Sequence, residues 1–233
     1  MSSAPGPLLA IDTATRRTSV ALGDASGPRF TRSVERDAGE SLLGLVAALL
    51  AEAEVEREAL GGIVVGTGPG SFTGLRLGLA TAKTLAYALR IPLLGVPTVE
   101  ALARASGGSD GATLLVVLAA GARDHYLARV RDPAGAARLA GPVELLAPGA
   151  SLPEAVGEGV ALAVETSSDA LGPEAAARGT GALDGLAEAL LALGHQRIVA
   201  GERAEPATLV PEYVALPRGI AATAGVTWSP DLR

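Results

Sequence analysis

Ile63-Val64-Val65-Gly66-Thr67-Gly68-Pro69-Gly70-Ser71 is the stretch on which the fold turns. Three β-branched residues in succession suit a strand buried on both faces. The glycines and proline behind them mark a tight turn, in which glycine supplies unusual dihedrals and Pro69 fixes the path. From Phe72 to Leu89 apolar residues recur at helical spacing, and Ser71 stands where its hydroxyl can cap the helix. A strand that runs through such a turn into a helix belongs to an α/β arrangement.

Upstream, Leu8-Leu9-Ala10-Ile11 is a short apolar run ending in Asp12, and Thr18 to Leu22 is a second run beyond a polar turn. The pair predicts a β-hairpin with Asp12 at its tip. Glu40 to Ala53 has no breaker except Gly44 and predicts a helix. Downstream, Ile91 to Val96 predicts a strand and Val99 to Ala105 a short helix. Around 106–111 the composition turns to Gly, Ser and Asp, which marks a lobe boundary. A new series follows with strands at Leu114–Leu118, Tyr126–Val130 and Val160–Val164 and a helix at Leu183–Leu193. The expected organisation is an N-terminal lobe over 1–105, completed by part of 215–233, and a smaller second lobe over 106–214. The last stretch, Gly219 to Arg233, lacks a sustained apolar face.

The 233 residues carry 19 basic and 25 acidic side chains, a net charge of −6, so most of the surface repels a phosphate backbone and unaided nucleic-acid binding is not expected. With no cysteine, disulfides, thiolate metal sites and thiol nucleophiles are excluded. The N-terminus shows no basic leader ahead of a long apolar stretch, and no window reaches ~18 uninterrupted apolar residues. The expectation is a cytoplasmic protein without a membrane span.

Two blocks of sequence resemble the TsaB family: Leu9-Ala10-Ile11-Asp12-Thr13-Ala14-Thr15, and Gly66 to Gly78 (GTGPGSFTGLRLG), continuing to Ile91-Pro92-Leu93-Leu94-Gly95-Val96. The second block is long and unusual in composition, and the order and spacing of both fit. The likeness covers roughly the first hundred residues, then thins to Tyr126 and Pro211-Glu212-Tyr213. The family's His-Ser-Glu opening of the first helix and its Asp-Ala-Arg stretch are replaced here by Ala38-Gly39-Glu40-Ser41 and Ala119-Ala120-Gly121-Ala122. The resemblance implies two lobes of the actin, hexokinase and Hsp70 type, an RNase H-like α/β fold with a mixed sheet and helices in each. It implies a non-catalytic subunit in synthesis of tRNA N6-threonylcarbamoyladenosine, which binds and orders the catalytic paralogue TsaD as a heterodimer, with the ATPase TsaE as third member. It further implies a homodimer when isolated, tRNA contact only through the complex, no intrinsic cofactor, and ATP or ADP at the complex interface.

Asp12 and Thr13 stand where actin-like ATPases hold a hydrated metal and phosphates, but Ala14 occupies a place where such loops usually carry glycine. Gly68, Gly70 and Ser71 read either as a phosphate cradle at a helix N-terminus or as a tight turn, and the cradle lacks a Walker lysine. An active ATP-dependent phosphotransferase is therefore the rival reading. A peptidase is the other, and it lacks the clustered histidine pair: His125 and His195 lie far apart in the sequence, so no metal site is expected. Ser71 sits in Gly-Pro-Gly-Ser-Phe, not in the Gly-x-Ser-x-Gly of a nucleophile elbow.

At ~100° per residue the first helix gathers Leu42, Leu43, Leu45, Val46, Leu49 and Leu50 on one arc, expected to face its sheet, and sets Gly44, Ala47, Ala48 and Ala51 opposite. The second helix gathers Leu75, Leu79, Ala82, Ala86 and Leu89 on one stripe and Gly74, Leu77, Gly78, Thr81 and Leu85 on another, with Arg76, Lys83 and Tyr87 along a polar edge. Either stripe alone could meet the neighbouring helix of the same lobe, but both together make the small-residue stripes the expected partner interface, where close approach builds an intermolecular helix bundle.

Overall fold

β1 (Leu8–Asp12) is the centre of the first sheet because it is apolar on both faces and entirely buried. It pairs antiparallel with β2 (Arg17–Asp24) and parallel with β4 (Gly62–Gly66). β3 (Gly27–Glu35) and β5 (Leu93–Val96) complete the order β3-β2-β1-β4-β5. This computed structural model describes residues 6–35, 41–108, 112–121, 124–146, 150–152, 161–166 and 171–214. The expected contribution of 215–233 to the first lobe, and positions 38–40 and 122, lie outside them.

α1 (Leu42–Glu52) and α2 (Phe72–Leu89) cover one face of this sheet. Leu9, Ile11, Ile63 and Val65 point to them and form one apolar cluster with Leu45, Leu49, Leu79 and Ala82. Alternation along the strands sends Leu8, Ala10 and Val64 to the other face. There they meet α5 (Leu186–Val199), which packs along all five strands of the sheet.

The second sheet runs β10-β6-β7-β8, with β9 also on β7: β6 is Thr113–Ala119, β7 His125–Arg131, β8 Arg138–Leu139, β9 Glu144–Leu146 and β10 Ala161–Val164. α4 (Gly172–Asp184) packs on β10, and α3 (Thr98–Ala105) on β6 and β7. α3 also packs against α5, so a single apolar cluster joins both sheets. Two mixed sheets with helices are the α/β fold class expected. The single helix anticipated at Leu183–Leu193 is instead the pair α4 and α5, divided at Gly185. β3 was not anticipated, since its half-exposed edge mixes Arg, Thr and Ser with few apolar residues.

A buried ion pair fastens the middle layer. Arg197 of α5 donates through one Nη to Glu100 Oε2 of α3 at 2.6 Å and to the Ala137 carbonyl at 2.7 Å. Glu100 Oε1 accepts from Leu139 N at 2.8 Å, so the turn after β7 is tied to both helices.

Candidate functional site

The hairpin tip and the 66–71 turn meet in one corner. Asp12 is fully buried at the end of β1. Its Oδ1 accepts from Ala14 N at 2.8 Å and its Oδ2 from Thr98 Oγ1 at 2.7 Å. Thr98 Oγ1 in turn accepts from Gly68 N at 3.1 Å, and Thr98 N donates to the Gly68 carbonyl at 2.7 Å. Ser71 N donates to the Ala14 carbonyl at 2.7 Å, and Ser71 Oγ accepts from Gly74 N at 3.2 Å, the expected N-cap. Gly68 has φ +103°, which only glycine adopts without strain.

The candidate nucleotide residues Asp12, Thr13, Gly68, Gly70 and Ser71 are therefore brought together, and hydrogen bonds within the chain link the loops that carry them. A β-carbon on Gly70 would overlap the Ala14 carbonyl oxygen. Both Asp12 oxygens and the Gly68 and Ser71 amides already have partners within the chain. The arrangement ties hairpin, turn and α3 together. Thr98, the hydroxyl at its centre, carries no motif signal and was not a sequence candidate.

The hairpin tip is also pinned to the second sheet. Arg16 N donates to Glu165 Oε1 just beyond β10 at 2.6 Å. Arg17 pairs with Asp184 at the end of α4 at 2.6 Å and with Glu35 of β3 at 3.0 Å. Hydrogen bonding to Asp184 first, and to Glu35 next, holds the Arg17 guanidinium above its ordinary pKa.

The outer side of α1 and α2 behaves differently. On α1, Gly44, Ala47 and Ala51 are exposed and Ala48 is half-buried. Leu43, expected to face the sheet, is instead 59 % exposed, because Leu42, Leu45, Val46 and Leu49 alone fill the inward arc. On α2 the expected interface divides. Leu77 is 48 % exposed and Thr81 and Leu85 are half-buried, but Gly74 and Gly78 are buried in this chain. Thr13 Oγ1 donates to the Gly74 carbonyl at 2.7 Å, and a β-carbon on Gly78 would overlap that same Oγ1. Those two glycines serve the corner, not the outer face. The open stripe of α2 runs through Thr73, Arg76, Leu77, Ala80, Thr84, Tyr87 and Ala88. Within it, Tyr87 is 83 % exposed.

A strap after α5 completes the region. Ala204 N donates to the Leu93 carbonyl of β5, and Glu212 N to the Thr67 carbonyl in the turn, each at 2.8 Å. Tyr213 then lies against Phe72 with ring centroids 5.2 Å apart. Burial, and then the nearby charge of Glu100, push the Glu212 carboxyl above its ordinary pKa. The described residues include no group of three or more His, Asp or Glu able to hold a metal ion, and no helix among them is long and apolar enough to cross a membrane.

The two mixed sheets, with a helix layer joining them, define an α/β protein of the actin-like fold class. The family model described as "TsaD: tRNA N6-adenosine threonylcarbamoyltransferase" matches residues 32–158, more than half of the chain. The tRNA threonylcarbamoyladenosine biosynthesis protein TsaB of Escherichia coli is 35% identical over 107 residues, 46% of this chain and 46% of that protein. An uncharacterized protein of Mycobacterium tuberculosis is 40% identical over 134 residues, 54% of this chain and 59% of its own length. The chain thus spans about half the length of the curated relatives it matches. Among solved structures, YeaZ from Pseudomonas aeruginosa superposes with a TM-score of 0.68 at 28% identity, covering 89% of this chain and 99% of that one. The chain belongs to the TsaB family, within the wider group that the TsaD model spans.

Proposed function

We propose that the chain serves tRNA threonylcarbamoyladenosine biosynthesis as a non-catalytic subunit that binds and orders TsaD, with TsaE in the same complex. The observation that carries this is the open side of α1 and α2. Leu43, Leu77 and Tyr87 stand 59 %, 48 % and 83 % exposed beside Gly44, Ala47, Ala51 and Ala80. Apolar side chains among small ones let another helix approach closely and be covered by it. The names of the TsaB relatives support the pathway. Two copies of the chain meet through the same face when TsaD is absent, and tRNA is reached only through the complex. ATP or ADP belongs to the complex interface.

The test is co-expression with TsaD and size-exclusion analysis of wild type and Ala47→Arg. The bulky cation is expected to abolish the joint peak and leave the chain folded. Undiminished co-elution of the variant would reject this face. The rival phosphotransferase is tested by calorimetry with Mg-ATP, where tight binding and turnover by the isolated chain would displace the subunit reading.

A further inference from the structure

Arg76 is held in a way no other arginine of the described residues is. Its guanidinium carbon lies 3.7 Å from the centroid of the Phe72 ring, and its Nε donates to the Tyr213 hydroxyl at 3.1 Å. One ring comes from the first turn of α2 and the other from the strap, and the two are tilted by 39°. Stacking on a ring face together with an Nε hydrogen bond leaves the planar group few orientations. Arg17, Arg32 and Arg197 each have a carboxylate partner, whereas Arg76 has none among the described residues. Its side chain is exposed.

Its place on the helix gives this geometry a purpose. At ~100° per residue, Thr73, Arg76, Leu77, Ala80, Thr84, Tyr87 and Ala88 share an arc of about 120°, and Arg76 and Tyr87 lie within about 20° of each other along one edge. Arginine and tyrosine dominate the energetics of protein interfaces, and a side chain already ordered in the free protein loses little entropy on binding.

Building on the partner-subunit proposal, we infer that Arg76 is the polar anchor of this face and takes a carboxylate of the partner protein. An Asp or Glu side chain there forks onto the two Nη atoms while the partner's helix packs over Leu77 and Ala80. Charge favours a carboxylate over an RNA phosphate. The chain carries a net −6, and on α2 only the half-buried Lys83 shares the polar edge of Arg76, fewer cations than a phosphate backbone requires.

The experiment is titration calorimetry of the full chain with full-length TsaD of the same organism, with thermal unfolding of each variant. Arg76→Ala is expected to weaken binding by about 30-fold or more, the range for removing one member of a desolvated interface pair. Arg76→Lys, which keeps the charge but loses the fork and the stacking, should weaken it by about 10-fold. Tyr213→Phe, which keeps the ring and removes the acceptor, should weaken it by about threefold. Single Asp and Glu replacements on the partner's contacting helices should include one that has no further effect once Arg76 is alanine.

Full affinity of Arg76→Ala together with lost binding of Ala47→Arg would overturn the Arg76 assignment and leave the face standing. Full affinity of both variants would overturn the partner-subunit face itself. Lost tRNA binding by the complex, with affinity for TsaD intact, would assign Arg76 to RNA and overturn the carboxylate inference.

Discussion

Gly74 and Gly78 on α2 and Gly44, Ala47 and Ala51 on α1 are residues of one kind in opposite situations. A β-carbon on Gly78 would collide with Thr13, whereas one on Gly44 would meet only the Ser41 hydroxyl at 3.1 Å. Gly78 is small because this chain's own hairpin is already there, and Gly74 offers that hairpin its carbonyl. The second group looks onto open surface beside Leu43, which is 59 % exposed. A row of small residues says that something comes close, and only the packing says whether it is the same molecule.

Changes on the inner side should therefore cost stability and changes on the outer side should not. The largest loss is expected from Arg197→Ala, which leaves Glu100 buried without its counter-charge and should lower unfolding free energy by about 3–5 kcal/mol in urea titrations. Thr98→Val keeps the shape but removes the hydroxyl shared by Asp12 and Gly68, at a cost of about 2–3 kcal/mol in the same assay. Gly78→Ala pushes a methyl into Thr13 and should cost about 1–3 kcal/mol. Ala47→Arg, on the exposed side, should shift stability by under about 0.5 kcal/mol. A loss from Ala47→Arg as large as that from Gly78→Ala would erase the distinction between the two helix sides.

The smallest effect concerns pH at the strap, which is bonded to β5 and to the turn ahead of α2. The folded-state pKa of Glu212 is raised by burial and then by Glu100, so the native chain holds this proton to higher pH than the unfolded chain does. Stability is therefore lost as pH rises from the ordinary glutamate range through the raised value. Because Glu212 is only partly buried, the slope should be slight, and Glu212→Gln should flatten it in melting temperatures measured against pH. An identical slope in the variant would remove Glu212 from the account.

Much of the frame was legible in the sequence, because β1, β4 and α2 carry periodic or continuous apolar runs that only one element type accommodates. Asp12 and the 66–71 turn were each legible as loops at strand ends of one α/β lobe. Elsewhere the signal was tertiary. β3 was hidden by its polar edge, and the division at Gly185 fell inside an alanine- and leucine-rich run. The inward turn of Gly74 and Gly78 depends on Thr13, and the Phe72, Arg76 and Tyr213 cluster joins residues from distant parts of the chain. No local pattern announces either contact.

Hydroxyl-radical footprinting of the chain, alone and mixed with TsaD, tests the outer face most directly. Tyr87, Leu77 and Leu43 are exposed in the free chain and should each lose most of their labelling in the mixture. Val199, exposed at the end of α5 on the other face of the sheet, should keep its labelling. Undiminished labelling of Tyr87 and Leu77, with protection appearing elsewhere in a complex that still forms, would contradict the account.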